Sequence, residues 1–199
     1  MIKTKIQAIL FDWHGVLDKT LLDGFFDFIS LECSLSKDLL KVKLGNICRN
    51  YSLGNILSDD FWEIVRQETG ASEFQLNKFK KYVNSIEINT ELWKHLSILK
   101  KSYRLAILSD CPLEKVTLIR KNINLSLFDK VYFSAEENLD KKMTEFFELA
   151  IKSLDLKTTA ILFVDDSQKN IDFASKLGVR GHLFTDFENF KNVIQSLDS

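Results

Sequence analysis

The sequence predicts an α/β fold: a parallel sheet wound on both faces by helices, with a helical insertion after its first strand. Three observations carry this prediction. Short apolar runs recur along the chain and end abruptly in polar, chemistry-bearing residues, as buried parallel strands do. From about Asn89 onward such runs alternate with helical patterns, which implies right-handed crossovers in a parallel sheet. Between Thr20 and Glu87 the pattern is helical, with no strand-like run.

The first strand is Ile6-Gln7-Ala8-Ile9-Leu10-Phe11, followed at once by Asp12-Trp13-His14-Gly15, where glycine lets the chain turn sharply. The insertion reads as helices over Leu21 to Leu31, Lys37 to Asn50, Ser58 to Thr69 and Ser72 to Ser85. Ser58 is expected to cap its helix ahead of Asp59 and Asp60, and Gly70 to end it. A helix over Thr90 to Lys101 then leads to the strand Tyr103 to Leu108, which ends in Ser109-Asp110. Pro112 suits the first turn of a helix running to about Lys121. A short strand, Lys130 to Ser134, precedes Lys141-Lys142 and the amphipathic helix Met143 to Leu154. Strand Thr159 to Val164 ends in Asp165-Asp166, followed by helix Gln168 to Leu177, strand Arg180 to Phe184 and helix Glu188 to Leu197.

A chain of 199 residues with 45% hydrophobic content can bury one good core, or a core plus a small insertion. The net charge of -1, from 27 basic and 28 acidic residues, gives no electrostatic case for nucleic acid or an anionic membrane surface. A small anion must therefore be held by local groups. No apolar stretch approaches a membrane span and the amino terminus has no signal-peptide architecture, so a soluble, cytoplasmic protein is expected. Cys33, Cys48 and Cys111 show neither disulfide-framework nor zinc spacing; Cys111, near Ser109, reads as a small packed residue.

Each polar strand end admits more than one reading. Asp12 can be a covalent nucleophile, a metal ligand, or a residue that merely ends a strand. Asp165, Asp166 and Ser109 can each cap a helix. Lys141 and Lys142 can be solvated charges, as can Lys41, Lys43 and Arg49 in the insertion, whose other reading is contact with a substrate's anionic end. Trp13 alternates away from Asp12 and His14 and reads as core.

The order Asp12, Ser109, Lys141, then Asp165-Asp166 with Asn170 and Leu177-Gly178-Val179 resembles the haloacid dehalogenase-like hydrolase superfamily over nearly the whole chain. The stretch Lys141-Lys142-Met143-Thr144-Glu145-Phe146-Phe147 is similar to the family's Lys-Pro-Asp-Pro-Glu-x-Phe. The resemblance implies a Rossmann-like doubly wound core over residues 1–18 and 89–199 and a helical cap over 19–88 that closes on the site. It implies Asp12 as nucleophile, Ser109 and Asp110 at the phosphate, Lys141 as the neutralising cation, and Mg²⁺ held by Asp12, the His14 carbonyl, Asp165 and Asp166. The implied activity is phosphatase action on a small phosphorylated metabolite such as a sugar phosphate, through an aspartyl-phosphate. One position departs from the pattern: the residue two after the nucleophile, a second Asp in most such phosphatases, is His14. Its imidazole can replace that acid/base, or the residue can contribute only its backbone carbonyl. A protein that keeps the fold as a binding or regulatory module, and a metal-independent dehalogenase, are the alternative readings. The acidic pair Asp165-Asp166 counts against the dehalogenase, which needs no metal.

Overall fold

A computed structural model describes residues 5–21 and 24–197. Among these, five strands form one wholly parallel sheet: β1 (Ala8–Phe11), β2 (Arg104–Ser109), β3 (Lys130–Phe133), β4 (Ile161–Asp165) and β5 (Arg180–Leu183). Their spatial order is β3-β2-β1-β4-β5, with Phe11 of β1 in register with Ile107 of β2 and Val164 of β4. The chain moves outward from β1 to β3 on one side, then returns to β4 on the other. The order therefore reverses between β1 and β4, and the crevice at the carboxyl ends of these strands is where open α/β sheets bind ligands.

Strand periodicity supplies both faces of the sheet. Ile9, Phe11, Leu105, Ile107, Leu162 and Val164 point into one apolar cluster, which is filled by α5 (Thr90–Leu99), α6 (Leu113–Asn122) and α10 (Phe187–Leu197). Ala8, Leu10, Ala106, Leu108, Ile161 and Phe163 point the other way, onto α8 (Thr144–Leu154) and α9 (Gln168–Lys176). This three-layer arrangement explains why the central strands are near-continuous apolar runs, since they are covered on both sides. Trp13 lies in the first cluster as expected, edge-on to Trp93 and Phe133.

The helical segment forms its own apolar cluster. Phe25 and Ile29 of α1 (Gly24–Cys33), Leu40 and Leu44 of α2 (Lys37–Ser52), Val65 of α3 (Ser58–Thr69) and Phe79 of α4 (Glu73–Asn84) meet in its centre. Helix α4 opens with a capping box, in which Ser72 Oγ accepts from Gln75 N–H and the Gln75 side chain accepts from Ser72 N–H. Gly70 ends α3 at φ 68°, a left-handed cap that glycine adopts without penalty.

Three local expectations need correction, and one element was not anticipated. The first helix of this unit starts at Gly24 and runs to Cys33 rather than spanning Leu21 to Leu31; residues 22–23 lie outside the described residues. Ser58 does not cap α3, because Leu57 occupies the cap and the Ser58 hydroxyl instead donates to Glu114 at 2.7 Å. Strand β4 begins at Ile161, since Thr158–Ala160 forms a single 3₁₀ turn. The short α7 (Ser134–Glu137) was not anticipated, a single turn being too short for a periodic signal.

Candidate active site

The carboxyl ends of β1, β2 and β4 bring the predicted residues together. Asp12 follows β1, Ser109 and Asp165 are the last residues of β2 and β4, and Asp166 is next in the chain. Carboxylate oxygens of Asp12, Asp165 and Asp166 lie within 4.8 Å of one another. Lys141 Nζ sits between two of them, 2.6 Å from Asp12 Oδ2 and 2.7 Å from Asp165 Oδ2. Lys142, its neighbour, is exposed, so the geometry separates two lysines that adjacency in sequence does not.

The loop that delivers Lys141 is built for this. Its backbone N–H donates to Asp110 Oδ1 at 3.0 Å, and the Lys142 N–H donates to Asp140 Oδ1 at 3.0 Å. The Asp110 carboxylate thus positions the lysine, which leaves its backbone N–H as the group that could face the phosphate expected there. Arg49 of α2 reaches across and pairs with Asp140 at 2.5 Å, tying the helical unit to this loop.

The two buried carboxylates have different surroundings. Asp165 Oδ1 accepts from Ser167 N–H at 2.8 Å, and Asn170 Nδ2 lies 3.0 and 3.1 Å from the two oxygens. Asp12 Oδ1 accepts the neighbouring Trp13 N–H, at 2.7 Å. Burial raises the Asp12 carboxyl well above the usual range; Lys141 opposes this, and repulsion from Asp165 and Asp166 adds to it. For Lys141, burial alone would lower the ammonium, but Asp12, Asp165 and Asp110 outweigh it and hold the proton firmly. Three carboxylates facing one ammonium form a hard-oxygen donor set short of positive charge, which fits Mg²⁺.

Gly15 is required here twice over. It adopts φ 71°, and a Cβ at this position would lie 2.1 Å from Asp166 Oδ2. The turn after β1 is therefore packed directly against the second acidic residue. The Ser109 hydroxyl, fully buried at the end of β2, makes no hydrogen bond. Such orphaned buried hydroxyls call for a partner that is absent from the polypeptide itself.

His14 is buried as well, and neither ring nitrogen has a hydrogen-bond partner. Burial first, then the nearby Lys115 and Lys141 charges, lower its pKa to about 3, against an opposing pull from Asp18. It is a neutral imidazole near neutrality. Cys111 is fully buried and its thiol is pushed well up by burial, in keeping with a packed, unreactive residue.

Residues without a recognisable motif complete the setting. Asp18 and Lys115 are a fully buried ion pair at 3.1 Å. Asp18 also accepts from Trp13 Nε1, Thr20 N–H, Thr20 Oγ and Glu87 N–H, and Lys115 donates to the Ser85 carbonyl. The pair thereby grips both chain segments that connect the sheet to the helical unit. Glu114, one residue earlier on α6, accepts from Tyr51 of α2, Ser58 of α3 and Asn84 of α4. The only available signal was that Lys115 shares the inward face of α6 with Val116 and Ile119.

A cavity of about 250 Å³ lies between the strand ends and the helical unit. His14, Asp110, Asp140 and Lys142 line it from the sheet side, and residues of α1 to α4 line it from the other. No helix among the described residues is long and apolar enough to cross a membrane.

Comparison with known proteins agrees with this architecture. The pattern of the haloacid dehalogenase-like hydrolases matches residues 6–178. The sesquiterpene phosphatase astK of Aspergillus oryzae is 24% identical over 186 residues, covering 92% of each chain. A HAD family enzyme of Bacteroides thetaiotaomicron superposes with a TM-score of 0.77 at 20% identity, covering 96% of this chain and 99% of that one. The same enzyme has been solved in complex with magnesium and inorganic phosphate; that structure gives a TM-score of 0.72 at 21% identity, over 93% of this chain and 98% of the other. A predicted HAD-like hydrolase from Porphyromonas gingivalis gives 0.76 at 23% identity, with 98% of both chains covered. With the family pattern spanning most of its length, this chain belongs to the haloacid dehalogenase-like hydrolases.

Proposed function

We propose that the protein is a Mg²⁺-dependent phosphatase that hydrolyses a small phosphorylated metabolite through an aspartyl-phosphate on Asp12. The observation that carries this reading is Lys141, buried between Asp12 and Asp165 at the switch point of the sheet, beside an unpartnered Ser109 hydroxyl. Support also comes from the Aspergillus relative, whose name couples phosphatase action to a terpene, and from the Bacteroides enzyme's complex with magnesium and phosphate.

In this reading Asp12, Asp166 and the His14 carbonyl would hold Mg²⁺, with Asp165 contacting it directly or through water, and the ion would supply charge neutralisation during phosphoryl transfer. Asp165, which accepts from Lys141, Ser167 and Asn170, also fixes the lysine. Lys141 keeps its proton and offsets the negative charge on the phosphoryl group, while Ser109 Oγ donates to one of its oxygens. The Asp12 carboxylate attacks phosphorus as the bond to the leaving oxygen breaks, and the leaving oxygen takes its proton from water in the cavity. Water then attacks the same phosphorus, returning the carboxylate and releasing phosphate. A neutral His14 with free ring nitrogens is suited to accept a hydrogen bond from that water and is a poor proton source for the leaving group. Residues 19–88 act as the cap over a core of 1–18 and 89–199, with the cavity between them as the substrate site.

The test is turnover of p-nitrophenyl phosphate with Mg²⁺ and with EDTA, for wild type and Asp12→Asn. Metal-dependent activity that vanishes in a folded Asp12→Asn is expected. Activity retained by contamination-free Asp12→Asn rules the mechanism out.

A further inference from the structure

The cavity above the strand ends is polar on one side and apolar on the other. Its sheet side carries His14, Asp110 and Lys142, each adjacent or next-but-one in sequence to Asp12, Ser109 or Lys141, so the cavity opens directly on the proposed site. Its far side, from the helical unit, is mostly apolar: Phe25, Phe26, Phe61, Tyr82 and Val83 line it, beside Arg49 and Ser52.

Along the wall built by the helical unit, several polar groups that could read a hydroxylated substrate are already engaged, while the unpartnered His14 ring lies on the sheet side. Tyr51, also at the wall, donates its hydroxyl to Glu114, and Tyr82 donates to the Leu21 carbonyl. The Thr20 hydroxyl goes to Asp18, and Arg49 is paired with Asp140. The tyrosines therefore present rings to the cavity rather than hydroxyls. A sugar placed here would bury several hydroxyls without dedicated partners, an arrangement that discriminates strongly against it.

Gly45 points to the same conclusion from another direction. It lies inside the sixteen-residue helix α2, where glycine weakens a helix, and its backbone needs no left-handed conformation. A Cβ built on it meets nothing within 4 Å, and the residue lines the cavity. Its effect is to leave room in the cavity.

Resting on the phosphatase reading, we infer that the substrate is the phosphate monoester of an apolar alcohol, its hydrocarbon body seated among the rings of the helical unit and Gly45 setting the length it accepts. A cavity of 150 Å³ takes benzene, so about 250 Å³ accommodates a body of roughly ten carbons.

The experiment compares n-alkyl phosphates from ethyl to dodecyl with glucose 6-phosphate, by turnover with Mg²⁺ and by calorimetric binding to Asp12→Asn. Burial of each methylene predicts a rise of about fourfold in kcat/KM and in affinity, levelling off near ten carbons. A flat series, or glucose 6-phosphate preferred over decyl phosphate, overturns the substrate class while leaving the phosphatase reading intact. Absence of all turnover with chain-length-dependent binding removes the phosphatase reading and upholds the apolar site; absence of both overturns both. In Gly45→Leu, the decyl-to-ethyl ratio is expected to fall tenfold or more without loss of thermal stability, since leucine is the better helix former. An unchanged ratio in this folded variant removes Gly45 from the role assigned to it.

Discussion

The Asp18–Lys115 pair gives a prediction with an unusual asymmetry. Both side chains are wholly buried at 3.1 Å, and removing one partner of such a pair generally costs about 3–5 kcal/mol because the other charge is stranded. The two are not equally stranded here. Without Lys115, Asp18 still accepts from Trp13 Nε1 at 3.1 Å, Thr20 N–H at 3.2 Å, Thr20 Oγ at 3.0 Å and Glu87 N–H at 2.8 Å. Several such donors stabilise a carboxylate, so Lys115→Met is expected to cost only about 1–2 kcal/mol. Without a charge at position 18, Lys115 keeps the Ser85 carbonyl alone among the polar groups described around it. Asp18→Asn is therefore expected to cost the full ~3–5 kcal/mol. For a chain of this size each kcal/mol shifts Tm by about 2–4 °C, which predicts losses of roughly 2–8 °C for Lys115→Met and about 6–20 °C for Asp18→Asn. The double variant should be more stable than additivity allows, because it leaves no unpaired buried charge. Thermal and urea unfolding of the four proteins tests this. An Asp18→Asn milder than Lys115→Met, or strictly additive effects, would refute the reasoning.

Further outcomes follow from the site and its supports. Gly15→Ala places a methyl 2.1 Å from Asp166 Oδ2 in a left-handed turn that costs about 1–2 kcal/mol, so calorimetry should show Mg²⁺ affinity reduced tenfold or more. Lys141→Met is expected to lower kcat by on the order of 10³. Glu114 has its carboxyl lowered: burial alone would raise it, but hydrogen bonds from Ser58, Tyr51 and Asn84 prevail. The stability it confers is therefore present above the unfolded carboxylate pKa of about 4.3 and lost as pH falls through the lower folded value, a modest effect because the group is half exposed. Hydrogen exchange should show α2 to α4 loosening in that acid range in wild type, with the acid dependence removed in Glu114→Gln.

The sheet was legible because its central strands are covered on both sides, leaving Ala8 to Phe11 and Ile161 to Val164 apolar without interruption. Local chemistry was less decisive at helix starts. Ser58 has the composition of a cap, but a tertiary partner, Glu114, claims its hydroxyl. At the site, Asp12, Ser109, Asp165 and Asp166 stand out in the sequence because strand ends punctuate apolar runs. Choosing Lys141 over Lys142 rested on the family resemblance, and in the fold only Lys141 is drawn between two carboxylates. The Asp18–Lys115 pair joins residues 97 positions apart, and neither partner carries a pattern of its own. The cavity wall was hidden for a related reason. Phe25, Phe61 and Tyr82 have the spacing of ordinary helix-packing residues, and only the fold shows which part of each ring is left facing a void.

The two crossings between sheet and helical unit meet in one short ladder. Lys19 N–H donates to the Glu87 carbonyl at 2.7 Å, Asn89 N–H donates to the Leu17 carbonyl at 3.0 Å, and Asp18 bridges Ile88 in antiparallel fashion. Everything between residues 20 and 86 is thus spliced into the tip of what is geometrically a hairpin. The entropy of closing such a tip grows only as the logarithm of its length, so a short turn, the present four helices or a much larger module can occupy the same socket at similar cost to the sheet. Exchange at this point replaces the far wall of the cavity and leaves the strand-end carboxylates where they are. The hairpin is a graft point at which that wall can be redesigned separately from the carboxylate cluster.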